Sequence, residues 1–127
     1  MKTKMRVLVF DIKPVPKPRM TISDKWKKRP VVMKYWAFKD ALNLIARKNK
    51  FTLPEVYDIT FNIGMPKYWS ASLKKDRLNK PHQSKPDLDN LVKAWQDALD
   101  EEDMDVWQIT ARKFWAKKDS IIIKWEE

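Results

Sequence analysis

Residues 85–99 read Lys85-Pro86-Asp87-Leu88-Asp89-Asn90-Leu91-Val92-Lys93-Ala94-Trp95-Gln96-Asp97-Ala98-Leu99, and the rest of the chain is best read from this stretch. Leu88, Leu91, Val92, Trp95, Ala98 and Leu99 recur at helical spacing and predict a helix over about 87–100 with one apolar stripe. Asp87, placed after Pro86, falls at or near the N-cap. Asp89 falls in the first turn, where the helix dipole favours negative charge. Such a helix needs an apolar surface to lie on, and the flanking sequence supplies strands.

Downstream, residues 105–116 and 121–125 read as strands joined by a turn at 117–120, and the pair is expected to form a hairpin. Upstream, residues 66–86 read as a long basic loop. Before it, Val56, Ile59, Phe61 and Ile63 predict a strand over 55–65. Tyr35, Phe38, Leu42, Ile45 and Ala46 predict a helix over about 32–49. Residues 5–12 read as a first strand, followed by a basic loop punctuated by Pro14, Pro16, Pro18 and Pro30, with Trp26 in its middle. The order is β-α-β-α-β-β. It predicts a small α+β fold, a mixed sheet with two packed helices, in one domain over 1–127.

Composition narrows the chemistry. The 127 residues carry a net charge of +10, with 35% charged and 43% hydrophobic residues. The isoelectric point is about 9.8 and the mean hydropathy −0.65. A small globular chain this basic is suited to a polyanion, nucleic acid first. No stretch approaches the ~18 apolar residues that cross a bilayer, and no secretory signal pattern is present, so a cytoplasmic location is expected. There is no cysteine, one histidine and one glycine. That excludes disulfides, thiolate metal sites, multi-histidine sites and glycine-rich phosphate loops. A metal held by this chain would need carboxylate oxygens, which suit magnesium or manganese.

The acids are unevenly placed. Of 17 in the chain, eight fall within residues 87–105: Asp87, Asp89, Asp97, Asp100, Glu101, Glu102, Asp103 and Asp105. Carboxylates converging from a helix start and the following strand start could hold divalent cations, with Lys93, one turn after Asp89, beside a phosphate oxygen. Simpler readings fit the same residues. Asp87 serves equally as a helix cap, Asp89 and Lys93 as a surface i,i+4 pair, and 100–105 as a solvated turn. Asp97, four residues after Lys93, could orient that lysine.

Taken together, the pattern D-x-D-N at Asp87-Leu88-Asp89-Asn90, Lys93, and Asp97-Ala98-Leu99 resembles the signature of the RusA family of Holliday junction resolvases. The acidic pair Glu102-Asp103 before Val106 and the later Lys113 continue the resemblance. Pro16-Lys17-Pro18-Arg19-Met20-Thr21, Met65-Pro66-Lys67-Tyr68-Trp69-Ser70 and Lys80-Pro81-His82 extend it toward phage-type members, over nearly the whole chain. The resemblance implies a RusA-like fold in a bacterial or phage-encoded protein. It implies Asp87, Asp89 and Asp103 as metal-binding carboxylates, with Asp105 in reserve because Glu102 stands where aspartate is commoner. It implies Lys93 as the catalytic lysine, magnesium or manganese as cofactor, a homodimer, and paired symmetric nicks across a four-way DNA junction that leave 5′-phosphates.

Lys17, Arg19, Lys67, Lys74, Lys75, Arg77, Lys85 and Lys113 are then candidate DNA contacts. Tyr68, Trp69 and Trp26 are candidates for stacking on bases, set against packing in the core or a dimer. His82 reads as a DNA contact or surface residue. Two other functions fit the same sequence: a non-catalytic basic DNA-binding module, and the same nuclease chemistry on flaps or replication forks.

Overall fold

The computed structural model describes residues 4–19, 21, 23, 28–99 and 105–127. Its elements run β1 (Met5–Phe10), α1 (Pro30–Lys48), β2 (Val56–Gly64), α2 (Ala71–Arg77), α3 (Leu88–Leu99), β3 (Gln108–Ala116) and β4 (Ser120–Glu126). The four strands form one mixed sheet in the order β1-β4-β2-β3. β4 runs antiparallel to β1 and β2, and β2 runs parallel to β3. The α+β class and the element order expected from the sequence are present, with one helix added.

The helices follow from their patterns. α1 starts on Pro30, whose ring fixes a helical φ, and ends on Arg47 and Lys48, which suit the negative end of the dipole. Its buried stripe is Val32, Tyr35, Phe38, Leu42 and Ala46. α3 buries Leu91, Ala94, Trp95 and Ala98. Both stripes meet the sheet face that carries Phe10, Tyr57, Ile59, Phe61, Ile121 and Ile123. Trp95, fully buried, meets Phe10 edge-on at 5.0 Å between ring centroids. Two polar bonds tie α3 to this core. Asn43 of α1 donates to the Ala98 carbonyl at 2.8 Å, and the Tyr57 hydroxyl donates to Gln96 Oε1 at 2.8 Å.

Two expectations need correction. The last two strands are not a hairpin: β2 lies between them and pairs with both. β2 buries Tyr57, Ile59 and Phe61 at 2% exposure or less, so it takes the centre of the sheet. The link at 117–119 therefore has to cross the end of β2, a span of about 10 Å between next-nearest strands. There the Gly64 N–H donates to Asp119 Oδ1 at 2.7 Å. A Cβ on residue 64 would lie 3.2 Å from that oxygen, and the one glycine of the chain stands at this crossing.

The segment 66–86 is not structureless either, since it contains α2. Ser70 caps this helix by accepting from the Leu73 N–H at 3.2 Å. None of its seven residues is buried, so the sequence shows no apolar stripe to reveal it. Among the described residues, no helix is long and apolar enough to cross a membrane.

Candidate active site

The start of α3 gathers three of the candidate residues. Asp87 immediately precedes the helix, and its carbonyl accepts from the Leu91 N–H at 3.1 Å, which closes the first turn. Asp89 lies one turn before Lys93, so the two share a face. Asp87, Asp89 and Lys93 are all exposed. Asp89 Oδ1 accepts from the Asn90 N–H at 2.9 Å. Neither the Asp87 carboxylate nor the Lys93 ammonium has a hydrogen-bond or ion-pair partner among the described residues.

Beside this helix start lies a cleft of about 430 Å³ lined by Lys17, Pro18, Arg19, Asn90 and Lys93. It brings two candidate DNA contacts from the first basic loop to the candidate catalytic lysine. Three cations around one opening make it attractive to a phosphate. Lys17 also pairs with Asp97 at 2.5 Å, each side chain about a quarter exposed. Asp97 thus pairs with Lys17, where sequence spacing suggested Lys93. The sequence reading did not single out Asn90 as a cleft residue. Its signal was its place directly after Asp89 at the helix start.

The segment before Asp87 is fastened to β3. Asn79 N–H donates to the Trp115 carbonyl at 2.9 Å, Trp115 N–H to Lys80 at 3.0 Å, and His82 N–H to Lys113 at 3.1 Å. Residues 79–82 thus cover the outer edge of the sheet. Trp115 packs in tilted contact on His82 at 4.1 Å and on Trp69 at 4.7 Å between centroids. His82 is 3% exposed, which corrects its reading as a DNA contact or surface residue. Burial, and then the Lys113 charge, push its pKa below the ordinary 6.5, which favours the neutral imidazole.

Lys113 lies on the helix side of β3, beside Phe61. Its ammonium donates to the Ser84 and Pro86 carbonyls, each at 2.6 Å. Trp69 is taken up by Trp115, whereas Tyr68 is 87% exposed. Lys67, Lys75, Arg77 and Lys85 are exposed around this segment, and Lys74 is half-buried. Arg19 is exposed as well.

The donor set at the helix start suits a hard divalent cation, because Asp87 and Asp89 offer exposed oxygens and the single histidine is buried away from solvent. Among the described residues no group of three possible ligands converges. The expected third carboxylate, Asp103, lies outside the described residues, as do Glu102 and Trp26. Asp105 is described and exposed at the approach to β3.

A family model described as Endodeoxyribonuclease RusA matches residues 11–126, nearly the whole chain. Comparison with curated proteins returns no match.

Proposed function

From the premise that the chain belongs to the RusA endodeoxyribonuclease family, we propose that it resolves four-way DNA junctions by hydrolysis at the start of α3. Enzymes of this family are nucleases that act on Holliday junction DNA and generally depend on a divalent metal. The observation that carries the reading is the cleft where Lys17, Arg19 and Lys93 meet Asn90, directly beside Asp89.

A backbone phosphate entering this cleft meets Arg19 and Lys93, and Lys17 once it leaves Asp97. Lys93 is the catalytic lysine. It donates to a non-bridging oxygen and stabilises the extra charge of the transition state. Asp87 and Asp89, with Asp103, are the metal-holding carboxylates, and Asp105 is the substitute for the third. When bound, magnesium or manganese supplies a water of lowered pKa and further charge neutralisation. Water attacks phosphorus and the bond to the 3′ oxygen breaks, leaving a 5′-phosphate and a 3′-hydroxyl. Lys67, Lys74, Lys75, Arg77 and Lys85 hold the flanking strand through phosphate contacts, and Tyr68 stacks on an exposed base. Two copies about a two-fold axis would place one site on each of two opposed strands, giving paired symmetric nicks.

The test is nicking of a synthetic junction, flap, fork and duplex at fixed salt in magnesium or manganese. The wild type is expected to cut the junction. Asp89→Asn is expected to lose at least about a hundredfold in rate, the scale of removing one transition-state charge contact, while still binding the junction. Salt-sensitive binding without cutting of any substrate would favour a non-catalytic module. Preferential cutting of flaps or forks would change the substrate and keep the chemistry. Wild-type rates in Asp89→Asn would overturn the site.

A further inference from the structure

We infer that Lys113 is a positioning residue that sets the two aspartates of the site, rather than a contact to DNA. The inference rests on the proposed site at the start of α3. Lys113 grips the preceding segment at three points within five residues. Its backbone carbonyl accepts from the His82 N–H at 3.1 Å. Its ammonium donates to Ser84 O and to Pro86 O, both at 2.6 Å. An ammonium has three N–H donors, so two of them are committed inward. The residue that follows the second gripped carbonyl is Asp87, and its own carbonyl closes the first turn of α3.

The geometry links the sheet to the site. Lys113 is fixed by nine-residue pairing of β3 with β2, and it stands level with the fully buried Phe61. Without it, the segment between His82 and Asp87 has no other hydrogen bond to the sheet among the described residues. Ser84 and Lys85 are exposed and cannot anchor it by burial. Carboxylates that share a cation need their separation held within a fraction of an ångström. A charged donor on the two carbonyls just before Asp87 supplies that constraint. It also raises the positive potential beside the site without being spent on phosphate.

The experiment uses the full chain with Lys113→Met, Lys113→Gln and Lys113→Arg, read in three ways. Hydrogen exchange of the amides at 84–91 reports the clamp without metal or DNA. Binding of manganese to the free protein reports the aspartates. Junction affinity in EDTA across a salt series reports phosphate contacts. Lys113→Met is expected to speed exchange over 84–91 and to weaken manganese binding at least about tenfold, as loss of a residue supporting metal ligands does. The salt slope is expected to stay at the wild-type value.

Lys113→Arg is expected to restore both readouts, and Lys113→Gln to fall between; these two carry the test if the methionine variant does not fold. A salt slope shallower by about 0.9 would mark a phosphate contact and overturn the inference. Wild-type exchange and manganese binding in Lys113→Met would overturn it as well. The site reading fails separately: manganese binding unchanged in Asp89→Asn removes that reading, while the exchange measurement still decides Lys113.

Discussion

Residues 13–19 and 66–86 are both lysine-rich connections broken by prolines, and their composition does not separate them. Their attachment does. The first buries Pro14 and packs Val15 on the core, and among the described residues its basic tip is held by the Lys17–Asp97 ion pair to α3 and by the Arg29 guanidinium, which donates to the Arg19 carbonyl at 2.8 Å. The second is stitched to β3 through the backbone at 79–82, packed on Trp115 by Trp69 and His82, and gripped by Lys113. On the proposed function, the difference matches the two tasks. Attraction of a phosphate works over several ångströms and tolerates a movable lysine. Carboxylates that act together do not tolerate movement, so the chain spends its fixed contacts on the segment that delivers Asp87 and Asp89.

The largest test of that contrast removes the aromatic seat of the second segment. Trp115→Ala would remove the ring contact of both Trp69 and His82. Trp115 is half-buried, so the expected cost is roughly 2–3 kcal/mol, below the ~3–5 of a fully buried tryptophan. Cleavage should fall more than junction affinity does, because the aspartates lose their footing while the cations remain. Chemical denaturation and single-turnover cleavage would measure the two effects. A stability loss under about 0.5 kcal/mol would show that these ring contacts do not hold the segment.

The contrast was not readable from the sequence, although much around it was. α1, α3, β1 and β2 were legible because period 3.6 or period 2 survives in their apolar residues. The strand order was not. β3 and β4 are joined by a short link, and local rules favour a hairpin there. What prevents it is the burial of Tyr57, Ile59 and Phe61, which puts β2 between them. The placement of Asp87, Asp89 and Lys93 at one helix start was legible because the three lie within seven residues of one another. The partners of Lys17, Lys113 and His82 were not, since each is set by contacts between distant segments: Lys17 and Asp97 are 80 residues apart, Lys113 and Ser84 29.

A smaller effect should come from the first segment. Lys17→Met removes an ion pair whose side chains are each about a quarter exposed, so stability should fall by no more than about 1 kcal/mol. If the lysine leaves Asp97 for a phosphate when DNA enters, the variant should bind junctions more weakly and with a salt slope shallower by about 0.9. Asp97→Asn should do the opposite at low salt. It frees the lysine, removes one negative charge beside the cleft's Lys17 and should tighten binding a few-fold. An unchanged slope in Lys17→Met would make the lysine a tether alone, and the two segments would then differ in strength of attachment but not in role.

The smallest expected effect is in the pH dependence, and it arises in the second segment alone. His82 has a folded pKa below its unfolded 6.5, first through burial and second through the Lys113 charge. Above pH 6.5 both states are neutral and the full contribution to stability is present. As the pH falls, the unfolded chain takes up the proton first, so stability is lost progressively until the folded pKa is passed. A charged His82 would be buried and face the Lys113 charge, which outweigh the backbone carbonyls of His82 and Ser84 beside it, so the same protonation should loosen the segment that carries Asp87. His82→Gln removes the titration. The stability difference between wild type and His82→Gln, measured by denaturation from pH 7.5 to 5, should shrink or reverse as the pH falls. Parallel curves over that range would mean that His82 does not titrate differently in the folded chain, and its burial would then have no consequence for the site.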